Sequence, residues 1–175
     1  FVNVGVCVCC AQALGNGNKQ MVRRIIHVGF GLNIIWGICI TLTCFFGSSI
    51  ICDLMNIPDD IYDVSKNYLM IIAIMFMAEA LNLCASSILR AFGCTRDPMM
   101  INIAGNILVV ILNYCFLFGH FGFPKLGIYG VAISVVISRY LAVGFLIYLL
   151  LKRTKCHLIP RFFFVVHKKI LRQIF

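Results

Sequence analysis

Five apolar stretches separated by short polar gaps set the pattern of this chain. They cover about residues 1–14, 25–52, 66–89, 98–118 and 126–151. A helix crossing the hydrocarbon of a bilayer needs about 20 apolar residues. The last four stretches are long enough, and the first reads as the tail of another span. The second, uncharged from Ile25 to Cys52, is long enough to tilt. Nowhere do apolar and polar residues alternate with the period of a strand. The pattern therefore predicts an all-α integral membrane protein, a multispan helical bundle with the lipid bilayer as its solvent.

The gaps between the stretches carry alternating charge. The first has Lys19, Arg23 and Arg24, and the third has Arg90 and Arg96 with Asp97. The segment after the last stretch holds Lys152, Arg153, Lys155, Arg161, Lys168, Lys169 and Arg172. The second gap instead has Asp59, Asp60 and Asp63 against Lys66, and the fourth only His120 and Lys125. Basic loops of multispan proteins stay in the cytoplasm, so the first span is expected to run inward, with the basic loops cytoplasmic. Such a chain needs at least one helix before Phe1. The run from Ile159 to Phe175 sets Phe162, Phe163, Val166 and Ile170 among basic residues and reads as an amphipathic interfacial helix.

Composition agrees with this pattern. The chain is 62% hydrophobic and 12% charged, with a mean hydropathy of +1.00, whereas soluble domains keep roughly a quarter of their residues charged. The net charge of +9 sits in the gaps between spans and does not point to nucleic acid. The chain starts inside an apolar run without Met and stops after a basic stretch, as a fragment would. Of its ten cysteines, Cys7, Cys9, Cys10, Cys39, Cys44, Cys84 and Cys115 lie in apolar runs, where thiols pack as small hydrophobic groups. Cys7 and Cys10 are one turn apart, but no second cluster or His pair completes a metal site. No metal or organic cofactor is expected.

Polar groups inside the spans are the candidates for chemistry. Glu79 is the only acid within a span, 13 residues from Lys66 and 11 from Arg90. At about 1.5 Å per residue it lies roughly 16 to 20 Å from either end. Arg139 lies at a similar depth, 14 residues from Lys125 and 13 from Lys152. Charges at mid-bilayer are costly unless paired or hydrated, and they face an interior. Glu79 is thus either a protonatable coupling group or half of an ion pair with Arg139 that locks two helices. Asn82, three residues on, shares the face of Glu79 and can bond to it or line the same cavity. Asn33, Asn102 and Asn106 read as packing or helix-end residues, and Trp36 as a lipid or packing contact. An intramembrane enzyme would need two catalytic groups at one depth; none is visible, so no enzymatic activity is expected.

Three stretches carry a family resemblance. The run from Asn113 to Ser134 begins Asn113-Tyr114, continues through Gly119, Gly122 and Pro124, and closes on Leu126-Gly127-Ile128-Tyr129-Gly130-Val131-Ala132. Ala11-Gln12-Ala13-Leu14-Gly15-Asn16-Gly17-Asn18 and Leu89-Arg90-Ala91-Phe92-Gly93-Cys94-Thr95-Arg96-Asp97-Pro98-Met99 are turns of similar character. Together they resemble the MATE (multidrug and toxic compound extrusion) family of efflux transporters.

The resemblance implies about five of the six helices of one MATE-type lobe, helices two to six of an N-terminal lobe. Residues 153–175 would be a basic linker to a missing C-terminal lobe. It implies secondary antiport in a cell membrane, expected to be a bacterial inner membrane. Small cationic or amphipathic compounds would leave in exchange for H⁺ or Na⁺. An alternative of related fold is a flippase for lipid-linked oligosaccharides or polysaccharides. Asn113 falls where some relatives place an Asp or Asn facing the N-terminal cavity; its other reading is an interhelical hydrogen bond. Val109 stands where relatives often add a second Asn.

Overall fold

Residues 2–118 and 127–154 are described by a computed structural model. They form α1 (Val2–Gly15), α2 (Lys19–Phe46), α3 (Ser48–Leu54), α4 (Asp59–Ala91), α5 (Arg96–Phe118) and α6 (Ile128–Thr154). No strand occurs among the described residues. The Gly119–Pro124 turn and the linker from residue 155 onward lie outside them.

Three helices end in the same backbone device. After α1, the amide of Asn18 donates to the Ala13 carbonyl at 3.1 Å and that of Gly17 to Leu14 at 3.0 Å. After α4, Cys94 donates to Leu89 at 3.0 Å and Gly93 to Arg90 at 2.9 Å. After α3, Ile57 donates to Cys52 at 3.3 Å and Asn56 to Asp53 at 3.1 Å. This paired bonding needs a left-handed residue just past the helix, and Gly17, Gly93 and Asn56 have φ of 67°, 77° and 48°. The carbonyls left open by the helix are thereby satisfied and the chain reverses within a few residues. Asn18 then caps α2, its side-chain oxygen accepting from the Met21 amide at 3.1 Å.

The apolar run from Ile25 to Cys52 departs from a single span. Helix α2 begins at Lys19 and stops at Phe46; the chain breaks at Gly47 and resumes as α3. The Thr43 hydroxyl donates back to the Cys39 carbonyl at 2.8 Å, and Ser48 donates to Phe45 at 3.1 Å. Such bonds compete with the helical ladder and bend it. Hydropathy alone does not register them. Helix α4 is likewise longer than its apolar stretch, because Asp59 and Asp60 occupy its first turn, where the helix dipole favours acids.

Helix α4 is the centre of the bundle, packing against α1, α2, α3 and α6, while α5 leans mainly on α6. The most tightly buried side chains include Val6, Cys10, Ile25, Ile26, Cys84, Ile88, Leu89, Leu146 and Leu150. These belong to the end of the bundle bearing Lys19, Arg23, Arg24, Arg90, Arg96 and Arg153. The outer faces are apolar and exposed, as at Ile103, Ile107, Val110 and Ile111 on α5. Four helices, α2, α4, α5 and α6, are long and apolar enough to cross a membrane, and such faces suit lipid. The chain is a multi-pass membrane protein.

Where α2 meets α4, a side chain at Gly37 would have its Cβ 3.1 Å from the Met77 sulfur, 3.2 Å from Ala80 and 3.4 Å from the Met77 backbone. The small residue lets the helices touch. Gly37→Leu should therefore overpack this contact at a cost of about 1–3 kcal/mol. Gly144→Leu, at a position with nothing within 4 Å, should be neutral or mildly stabilising. Thermal unfolding of both variants in detergent checks the contrast.

Candidate functional site

Glu79 on α4 and Arg139 on α6 meet inside the bundle, with Arg139 Nη1 3.6 Å from Glu79 Oε2. That distance makes an ion pair but not a hydrogen bond. Their side chains keep 32% and 30% of their surface exposed, so the pair is not sealed from its surroundings. Glu79 Oε2 and Arg139 Nε are themselves buried and have no hydrogen-bond partner among the described residues. A neighbouring contact ties the same helices, the Tyr140 hydroxyl donating to the Ile74 carbonyl at 3.1 Å. Pairing leaves the two groups neutral together, which lowers the cost of holding charge at mid-membrane.

The Glu79 side chain borders a cleft of about 290 Å³ between α1, α2 and α4. Asn3, Asn33, Trp36, Phe76 and Leu83 form much of its wall. Asn33 is fixed by donating from Nδ2 to the Gly29 carbonyl at 2.9 Å. The side-chain oxygen of Asn3 is buried without a donor among the described residues. Glu79 Oε2 and Asn3 Oδ1 are thus buried acceptors short of donors, on residues that border a largely apolar and aromatic cleft. Chemically, such a cleft can take up a proton on the carboxylate or hold a small cation or a protonated amine. Among the described residues no three His, Cys, Asp or Glu side chains converge as a metal site would require.

Of the four residues singled out in the sequence, the fold brings Glu79 and Arg139 together and takes the other two elsewhere. Asn82 is buried and turned to α5, donating to the Asn102 side-chain oxygen at 3.3 Å, with the Ser86 hydroxyl at 3.5 Å. Asn113 accepts a hydrogen bond from the Ser134 hydroxyl of α6. Neither Asn82 nor Asn113 lines the Glu79 cleft. Asn102, read as packing, makes an interhelical bond, and Asn33 both fixes its own helix and faces the cleft. Asn3 escaped the sequence reading. The signal available was an amide inside the first apolar run, but which helix it would face could not be counted from span ends.

The sequence profile of the family described as MatE matches residues 1–115. The chain belongs to the MATE family. It is 30% identical over 174 residues to the "Uncharacterized transporter YisQ" of Bacillus subtilis, covering 99% of this chain and 38% of that protein. It is 32% identical over 156 residues to the "Probable multidrug resistance protein NorM" of Thermotoga maritima, covering 89% and 34%. Among solved structures it superposes with a TM-score of 0.87 on a multidrug resistance MATE family transporter in its inward-facing conformation, at 22% identity and over 99% and 39% of the two chains. The chain thus spans well under half the length of these MATE relatives, which are transporters and not enzymes.

The ion pair can be separated from mere proximity by a double-mutant cycle on Glu79→Gln and Arg139→Gln. Each single change leaves one charge uncompensated, so the double variant should recover stability that the singles lose. The coupling expected for contacting groups is about 0.5–3 kcal/mol; partial exposure of both side chains sets it toward the lower end. Additive losses in melting temperature would mean that the two charges do not interact.

Proposed function

We propose that this chain is part of one lobe of a secondary antiporter that exports cationic or amphipathic compounds in exchange for H⁺ or Na⁺. In this reading the Glu79–Arg139 pair is the group through which ion binding acts on the lobe. The observation that carries it is the setting of Glu79: an acid at mid-span, loosely paired, on the edge of a cleft with an unmet amide oxygen. A carboxylate in a permanent structural lock would be expected to sit closer to its partner and to use both its oxygens. Glu79 instead retains capacity for a proton or an incoming cation.

The mechanism follows from competition for one carboxylate. Arg139 on α6 is the charged group facing Glu79; the other polar neighbours across the cleft are the neutral amides of Asn3 and Asn33. A proton or cation on Glu79 weakens its attraction to Arg139, so the contact between α4 and α6 favours a different packing. An ion shifts a conformational equilibrium only by its differential affinity for the two states, and the opened pair supplies that difference. The basic loops face the cytoplasm in this scheme, and a second lobe completes the translocation path. The names of the multidrug resistance relatives support drug export over the flippase alternative.

The test is ethidium efflux by the full-length transporter in proteoliposomes under an imposed H⁺ or Na⁺ gradient. Glu79→Gln should abolish or strongly reduce gradient-driven efflux while the protein still inserts and melts cooperatively. Normal efflux by that variant, with the same pH and Na⁺ dependence as the unmodified protein, would remove Glu79 from the coupling role. Failure of the unmodified protein to move any cation under either gradient would favour the flippase.

A further inference from the structure

A second concavity lies away from Glu79, where α5 crosses α6. It is a groove of about 490 Å³ walled by Met100, Ala104, Leu108, Leu141 and Phe145, with Gly105 and Ser138 at its floor. The one hydroxyl in it is already used, since Ser138 donates to the Gly105 carbonyl at 2.7 Å. No polar group in the groove is left asking for a partner, so an apolar occupant loses nothing by filling it.

The groove has a charged mouth. Met100 is one helical turn from Arg96. On α6, Leu141, Phe145 and Lys152 follow one another at spacings of four and seven residues, which keeps them on one helix face. Lys152 therefore stands on the stripe that walls the groove, about 10 Å beyond Phe145 at about 1.5 Å per residue. Arg96, Lys152 and Arg153 are exposed, and the acid here, Asp97, is paired with Arg153 at 3.1 Å. The mouth is net positive, and its acid is neutralised, so a cationic drug has no counter-charge there. The wall from Met100 to Leu108 runs about 12 Å along α5, most of the hydrocarbon of one leaflet, about 15 Å.

We infer that this groove is a binding site for an anionic phospholipid: one acyl chain lies between α5 and α6, and the headgroup phosphate sits on Lys152 and Arg96. Apolar length and positive mouth are arranged in the order that a lipid presents them. Juxtamembrane basic residues attract anionic headgroups, and here the groove below adds a seat for the chain. Because α5 is held mainly through α6, a lipid bridging both helices also reinforces the packing on which α5 relies.

The experiment uses the full-length protein in two ways. Native mass spectrometry after equilibration with equal phosphatidylglycerol and phosphatidylcholine of the same chains should show preferential retention of phosphatidylglycerol. Lys152→Gln should lower that preference about fivefold, and Ala104→Phe, which fills the groove, should lower retention of both lipids. On the unmodified protein, phosphatidylglycerol bearing a photoreactive group on its acyl chain should label peptides containing Met100 to Leu108 and Leu141 to Phe145. An unchanged preference in Lys152→Gln, or labelling confined to other helices, would overturn the assignment. So would absence of labelling because another helix of the full-length protein covers the groove. Where a variant fails to fold, the labelling pattern of the unmodified protein decides.

Discussion

A bilayer interior offers no hydrogen bonds, and that single constraint organises the structure described here. Every backbone group within the hydrocarbon has to find its partner within the chain, so the apolar runs become helices. Their ends become the places where satisfaction must be arranged. The repeated left-handed termini at Gly17, Asn56 and Gly93 do this with backbone alone, closing three helices without side-chain charge. The same constraint governs the polar side chains. Asn82 reaches Asn102, Asn113 accepts from Ser134, and Ser138 donates to the α5 backbone at Gly105. Each joins two helices because lipid could not serve as its partner.

Against that background Glu79 and Arg139 stand apart. They too find each other across two helices, but loosely, and each keeps an atom without a hydrogen bond among the described residues. The amide and hydroxyl contacts are local and neutral, and their geometry does not depend on charge. Glu79–Arg139 is instead a contact between opposite charges at mid-span, so its strength depends on the charge that each group carries. Its position on α4 matters as much as its chemistry, since α4 packs directly against α1, α2 and α6.

Much of this was legible in the residues. The approximate limits of α5 and α6 follow from hydropathy, and equal depth counted from loop charges offers the Glu79–Arg139 pair as one of two readings. The MATE family is recognisable in the residues of the Asn113–Ser134 run. What the residues concealed depends on rotation and local competition. The break at Gly47 hides in an uncharged run because it arises from hydroxyls bonding their own backbone. Asn82 shares a face with Glu79 on an ideal helix, yet its partner is decided by how closely α5 approaches. Asn3 and Asn33 border the cleft only because α1 and α2 both pack on α4, a relation that no spacing within one helix can express.

The distribution of burial has a mechanical meaning. The fully buried isoleucines and leucines are gathered at the basic end, where α1, α2, α4 and α6 pack together through Val6, Ile25, Ile88 and Leu146. Toward the opposite end the fully buried side chains are small, as at Ser48, Cys52, Ala132 and Ser134, and the Glu79 cleft opens between the helices. Helices clamped by large side chains at one end and spaced by small ones at the other have the geometry of levers sharing a fulcrum. Displacement along a lever grows with distance from its fulcrum, so a shift at Glu79, partway along the arm, would be larger at the far tips.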